Sequence, residues 1–349
     1  MPNIDFSQGY TSSFSLRPVD QSTWASGPSY APVISASAEL DATDEYPLLQ
    51  AGSCEVTLDV ADSFEEGFYR IEMEVEQDGT RELHPVATLL MSSGSSSVDR
   101  SAQTASVTGY SVLKPAADRL MLTGTYAPKG CDGAAYAAGL LRECTPAPVS
   151  VEGSFTLDEH AVFGSGVSYL QAAWTVLKAA DWCIRILGDG TVHIAPKPSE
   201  ATFMLDVEGR HHLMPGADMS YDLSEVPNRY FAVDGDDVGV AVNDQDGSRT
   251  SVSARGRYVD YIDDSPVKVG GETMTNYAKR KLEEMSTVTR EWNYTREYVP
   301  DLVPFDLVAG SVPEFGMSGA FRVIKQSIDC GKGVKVSETL GQETKEYTA

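Results

Sequence analysis

The sequence predicts an α+β protein that is mostly β, with helices confined to the middle of the chain and one later segment. Three observations predict it. Before residue 130, apolar and polar residues alternate: Cys54, Val56, Leu58 and Val60 share one face of CEVTLDV, and Tyr69, Ile71, Met73 and Val75 share one face of FYRIEMEVEQ. From Phe163 to Pro198, the run FGSGVSYLQAAWTVLKAADWCIRILGDGTVHIAPKP holds a complete helix-and-hairpin unit. Beyond Pro198, short strand patterns return, joined by Gly-, Asp- and Asn-rich turns.

The elements follow in order. Residues 1–32, rich in Ser, Pro and aromatics, read as an N-terminal arm. VISASAEL, CEVTLDV and FYRIEMEVEQ are half-buried antiparallel strands. Gln77, Asp78 and Gly79 turn the chain into LHPVATLLMSS. A Ser-rich loop from Ser92 to Ser97 then leads to TASVTGYSVLKPAADRLML. Strands of this length and spacing suit a sandwich or a barrel. Asp132 caps a helix through Ala134 to Leu141, which ends near Cys144 and is broken by Pro146 and Pro148.

Ser168 caps the next helix, whose Leu170, Ala173, Trp174 and Leu177 recur at the spacing of one face. Trp182, Ile184, Ile186 and the Val192 to Ile194 pair flank Gly188, Asp189 and Gly190, glycines that suit the positive backbone angles of a hairpin turn. A lone hairpin is marginal in water, so helix and ribbon pack as one small subdomain. ATFMLDV, RYFAVDG and VGVAVND are short strands. A further helix spans 275–286, with Met274, Ala278, Leu282 and Met285 inside and Lys279, Arg280, Glu283 and Glu284 outside. FDLVAG, GAFRVIKQSID and KGVKVSETL end the chain as strands. The expected divisions are an arm at 1–32, a first β domain at 33–130, an inserted helix/hairpin subdomain at 131–198 and a second β domain at 199–349.

In TVTREWNYTREYV, Val288, Arg290, Trp292, Tyr294, Arg296 and Tyr298 share one parity. Interleaved Arg and aromatic side chains are enriched at protein interfaces, so Arg290, Trp292, Tyr294, Arg296 and Tyr298 are the candidate subunit-interface residues. The alternative is a plain barrel exterior.

Charge narrows the function. Fifty-one acidic against 27 basic side chains give a net charge of -24, which disfavours general affinity for phosphate backbones. The start of the chain has no signal-peptide pattern and no run of 18 apolar residues occurs, so neither secretion nor membrane insertion is expected. Cys54, Cys131, Cys144, Cys183 and Cys330 are scattered without CxxC pairs and read as reduced thiols in a reducing cytoplasm. His211 and His212 are adjacent and would point to opposite sides of a strand, while His84, His160 and His193 are isolated. Asp234, Asp236 and Asp237 resemble the start of a calcium loop, but Val238 stands at the next ligand position. Asp244, Asp246 and Gly247 fail the same pattern. GxSxG, HExxH, P-loop and GxGxxG motifs are absent. No catalytic, metal or cofactor site is predicted.

Residues, order and spacing then converge on a family. The runs YPLLQAGSCEVTLDV, GFYRIEMEVEQDGTRELHPVATLLMSS and SVTGYSVLKPAADRLMLTGTYAPKGCDGAAYAAGLL, the helix-and-hairpin, and ETMTNYAKRKLEEMSTVTREWNYTREYVPDLVPFDLVAGSV resemble the tail-hub (baseplate hub) proteins of long-tailed bacteriophages. These are also similar to hubs of contractile injection systems. The resemblance covers most of residues 33 to 345 and rests on element order. It implies two tube-like antiparallel β-barrels per chain, and a homotrimeric ring that joins the tail tube to the distal tip and lets DNA pass. Its implied partners are a tail-tube or distal-tail protein, a tape-measure protein, and a tip, spike or fibre protein. The implied location is the virion tail, assembled in the host bacterial cytoplasm. A peripheral receptor-binding or adhesion module and a β-rich glycoside hydrolase are the rival readings.

Overall fold

The computed structural model describes residues 4–6, 9–41, 51–58, 65–99, 102–158, 160–201, 203–204, 217–264, 266, 272–298, 300, 302–312, 317–331 and 333–349. Its first strands are β1 (Thr11–Pro18), β2 (Ala31–Asp41), β3 (Ala51–Leu58), β4 (Gly67–Gln77), β5 (Thr80–Asp99) and β6 (Ala102–Ser111). Then come α1 (Lys114–Asp118), β7 (Thr125–Ala127), α2 (Gly133–Arg142), β8 (Val149–Val151), β9 (Ala161–Phe163) and α3 (Tyr169–Ala179). The hairpin is β10 (Trp182–Ile186) with β11 (Val192–Pro196). Next are β12 (Phe203–Met204), β13 (Ala217–Tyr221), β14 (Arg229–Asp234), β15 (Asp237–Val242), α4 (Val252–Arg255), β16 (Asp260–Asp263) and α5 (Met274–Met285). The last are β17 (Thr287–Glu297), β18 (Leu307–Val312), β19 (Met317–Gly331) and β20 (Gly333–Lys345). The mostly β prediction holds, with several antiparallel pairings.

The chain divides into two compact units, Met1–Ala217 with Asn293–Leu340, and Asp218–Trp292 with Gly341–Ala349. In the first unit, β1, β4, β5, β6, β3 and β2 are neighbours in that order, and a β1–β2 pairing closes the ring. Residues 11–18, within the expected arm, are a barrel strand paired with β4 from Thr11↔Glu76 to Pro18↔Tyr69. The alternating face read from the sequence, Tyr69, Ile71, Met73 and Val75, is buried in one core with Leu16, Leu89, Met91 and Val107. Asp78 and Gly79 both have positive φ (50° and 80°), which suits the two-residue turn between β4 and β5. Beyond β2 the sheet continues through β19 and β20 to β17.

The Ser-rich stretch is not the expected loop. Ser92 to Ser97 lie within β5, which pairs with β6 as far as Asp99↔Ala102, with a register shift between Met91 and Ser93. Small polar residues without an apolar period look alike in a loop and in a strand open to water. Here the backbone ladder, which needs no side chain, decides.

A second core lies under the inserted elements. Leu170, Ala173, Trp174 and Leu177 of α3 pack with Ala137 and Leu141 of α2 and with Trp182, Ile184, Ile186, Val192 and Ile194 of the hairpin. β8, which the alternation left unmarked, adds to β11 in parallel. Both predicted caps form: Asp132 accepts from the backbone N–H of Ala134 and Ala135, and Ser168 from that of Gln171. Ser168→Ala and Asp132→Ala should each lower stability by about 1 kcal/mol in urea denaturation, the usual effect of losing an N-cap.

In the second unit, β14 pairs with β15 antiparallel and with β16 in parallel. Tyr230, Ala232 and Ala241 on one face of this sheet pack against Met274, Tyr277, Ala278 and Leu282 of α5, which Thr273 caps. A Cβ on Gly239 would lie 2.1 Å from the Met274 carbonyl oxygen, so helix and strand meet this closely only at a glycine.

Candidate functional site

Strand β17 shows the predicted parity. Val288, Trp292, Tyr294, Arg296 and Tyr298 are buried, Arg290 is half-buried and Asn293 is exposed. Arg290 and Trp292 belong to the second unit; Tyr294, Arg296 and Tyr298 belong to the first. Tyr294 and Arg296 converge on Glu338 of β20, whose side chain, like that of Arg296, is 0% exposed. The Glu338 carboxylate accepts from the Tyr294 hydroxyl, from Arg296 Nε (3.0 Å) and Nη2, and from Gln326 Nε2 (2.8 Å). Arg296 Nη1 donates to the Glu297 carbonyl at 2.7 Å, and Gln326 Nε2 also reaches the Leu302 carbonyl at 3.0 Å. Burial opposes the charge on Arg296, and Glu338 beside it more than offsets that, so the guanidinium is held above its ordinary pKa. Burial, reinforced by Glu338, raises the Tyr294 phenol well above its ordinary value. Tyr298 instead joins the barrel core, with its ring 6.4 Å from that of Phe6.

The interface-like composition of β17 thus serves contacts inside the chain at Tyr294 and Arg296. Glu338 and Gln326 were not among the candidates. A signal for Glu338 existed: it shares its parity in KGVKVSETL with Val334, Val336 and Leu340, and an acid in an apolar row needs a partner.

The hairpin tip is held by a second polar cluster. Trp24 Nε1 donates to the Asp189 carbonyl at 2.8 Å, and Arg70 Nη2 donates to the same oxygen at 2.7 Å. Thr88 Oγ1 donates to the Gly188 carbonyl at 2.9 Å while accepting from Arg70 Nε at 3.1 Å. Arg70 Nη1 reaches Ser26 Oγ at 2.9 Å, Ser26 donates to Glu72 at 2.5 Å, and Arg17 Nε pairs with Glu72 at 2.8 Å. This accounts for the first half of β4 being buried on both faces: Phe68, Arg70 and Glu72 lie on the barrel's outer side, under Trp24 and the tip. Burial lowers the Arg70 pKa, with Asp189 and Glu72 offsetting part of the effect. Only one of the two tip glycines plays the expected role. Gly190 has φ +80°, whereas Gly188 is required by space, because a Cβ there would lie 2.1 Å from the Pro85 carbonyl oxygen. Arg185, between the tip and the hairpin base, pairs with the buried Asp306 at 2.6 Å.

No protein-family model matches the sequence, and no curated protein matches it. Solved structures do, from end to end. A tail protein from Neisseria meningitidis MC58 superposes with a TM-score of 0.64 at 13% identity, covering 96% of this chain and 97% of that one. The fold is that of phage tail proteins. The 43 kDa tail protein of prophage MuSo2 from Shewanella oneidensis gives 0.62 at 14% identity, covering 94% of this chain and 97% of its own. A type VI secretion component of E. coli, described as structurally similar to the T4 tail proteins gp27 and gp5, gives 0.51 at 8% identity over 91% of this chain and 76% of its own.

On this tail-protein fold the remaining polar motifs are local. The Asp234–Asp237 run is the hairpin turn between β14 and β15, with Gly235 at φ +61°, and Asp244 accepts from the Ser253 N–H at 3.0 Å. His211 and His212 lie outside the described residues. Among the described residues Cys131, Cys144, Cys183 and Cys330 form no disulfide, and burial pushes Cys183 up to about 11. Ser150 Oγ lies 2.8 Å from His193 Nδ1, whose Nε2 lies 3.2 Å from Glu152. The order resembles a nucleophile, base and acid, but the Glu152 side chain is 74% exposed, so water screens the charge that would orient the imidazole. Among the described residues no helix is long and apolar enough to cross a membrane.

Proposed function

We propose that this chain is the structural hub of a phage tail tip or baseplate, without catalytic activity. Three copies form a ring that joins the tail tube to the distal tip and lets DNA pass. The observation that carries this reading is the tail-protein fold matched over 96% of the chain and 97% of its counterpart, rather than over one portable domain. Its partners are then a tail-tube or distal-tail protein, a tape-measure protein, and a tip, spike or fibre protein. Its place is the virion tail, reached after assembly in the host cytoplasm.

The charge suits this role. Three copies bring three times -24, or -72, formal charges, and acidic side chains along a bore keep DNA from adhering as it passes. β17 takes part in the subunit interface through half-buried Arg290, whose Nε is buried without a hydrogen-bond partner among the described residues. The test is native mass by light scattering with negative-stain imaging of the same peak. A ring of about 113 kDa, three times 37.6 kDa, with a central hole is the expected result. A compact monomer that stays single when mixed with tail-tube and tail-tip proteins would overturn the proposal.

A further inference from the structure

Among the described residues, four that are not glycine hold positive φ: Trp24 (58°), Asp78 (50°), Asp181 (58°) and Phe305 (78°). Aspartate tolerates this region in turns, because its short polar side chain bonds locally; a bulky aromatic residue there is strained. Both strained aromatics touch the inserted helix-and-hairpin. Trp24, between β1 and β2, donates its indole N–H to the Asp189 carbonyl, and a Cβ on Gly190 would lie 3.0 Å from its ring, so it sits directly on the tip. Phe305, between β17 and β18, is buried in the core shared with α3 and the hairpin, its ring 6.1 Å from that of Trp174. The next residue, Asp306, pairs with Arg185 of β10. The insertion is thus clasped at two places, and each clasp is an aromatic residue on a strained backbone.

Strain of this kind persists only while its surroundings enforce it, and it gathers at clamps and switches. A glycine would hold either position without strain, so the strain is carried for the aromatic contact itself. It is released when that contact breaks, which makes docking weaker than its contacts alone would make it. The polar bonds at the tip run from Trp24, Arg70 and Thr88 to the Gly188 and Asp189 carbonyls, which water takes over once the tip lifts. We infer that the inserted subdomain of α2, β8, α3 and the hairpin, which share one core, is a two-position element that opens from the barrel as a body while the barrel stays folded. Opening uncovers the buried Phe68, Arg70 and Glu72 on the outer side of β4 and lets Trp24 return to an ordinary backbone. The inference does not depend on the hub reading.

Hydrogen exchange of the full chain, followed by mass spectrometry, reads opening region by region. In the wild type, hairpin amides at 182–186 and 192–195 should be protected about tenfold less than those of β4. The deciding comparison is Trp24→Ala against Trp24→Gly. Both remove the indole, but only alanine keeps the left-handed penalty in the docked state. Hairpin opening should therefore be several-fold more populated in the alanine variant, with β4 protection equal in the two. Phe305→Ala against Phe305→Gly repeats the comparison at the second clasp; if that buried position does not tolerate truncation, the pair at half-buried Trp24 decides alone. Equal hairpin exchange in the alanine and glycine variants would show that opening releases no strain and would sink the inference. So would hairpin protection that matches β4 in the wild type and in every variant, since insertion and barrel would then open as one body.

Discussion

Glu338→Ala should destabilise the protein by about 3–5 kcal/mol, the usual consequence of removing one partner from a buried ion pair. The reason is what remains behind. Arg296 would keep its charge at 0% exposure with the neutral Glu297 carbonyl and Tyr294 oxygen in place of a carboxylate, and the Tyr294 hydroxyl would lose Glu338 as its acceptor. The urea midpoint is the measurement. Replacing both ions, as Arg296→Met with Glu338→Leu, should recover most of the loss, because no uncompensated charge is then buried. A Glu338→Ala midpoint close to wild type would mean that water reaches the cluster.

The same cluster fixes an alkaline limit. The Tyr294 phenol is raised in the folded chain above its ordinary value of 10.0, so folding favours its protonated form. Its contribution is complete below about pH 10 and is lost as pH rises toward the higher folded value. Tyr230 acts in the same direction, chiefly through burial. The urea midpoint should therefore fall above about pH 10, and fall less in Tyr294→Phe.

Gly188→Ala should release the hairpin tip. The added methyl would overlap the Pro85 carbonyl, a backbone atom that cannot turn aside, and the tip would lift from Trp24, Arg70 and Thr88. Overpacking and the loss of those hydrogen bonds together predict a stability loss of about 3 kcal/mol. Hydrogen exchange locates the effect: amides of residues 182–186 and 192–195 should lose protection while those of β4 keep theirs. Arg70→Ala, which removes donors without a clash, should do the same more weakly. Equal loss across β4 and the hairpin would instead mean that the barrel and tip open as one unit.

These two clusters mark where sequence reading succeeds and stops. Local chemistry was legible: Asp132 and Ser168 cap the expected helices, α5 starts one residue before its predicted span, and the alternation in FYRIEMEVEQ marks the barrel interior. Composition without an apolar period was not, so Ser92–Ser97 read as a loop although it is a strand. Least legible were pairings made by distant residues. Arg296 and Tyr294 announce a polar partner, but Glu338 is 42 and 44 positions away. At Gly188, the reason for a glycine lies in Pro85, on another strand.

The pairing of β2 with β19 sets a clock on biosynthesis. Asp41 meets Lys325, a separation of 284 positions, and Ser37 meets Asp329. Relative to a ten-residue loop, closing one of that length costs about 3 kcal/mol more in chain entropy, at about 0.6 kcal/mol per doubling. At about 5–20 residues per second, the ribosome needs on the order of 15 to 60 s to deliver the strand that completes this edge. Until then the 37–41 stretch of β2 is an open sheet edge on a nascent chain, the kind of template that recruits a neighbour's strand. Translation speed and the crowding of nascent chains, as well as native stability, therefore govern how much of this protein reaches its folded state.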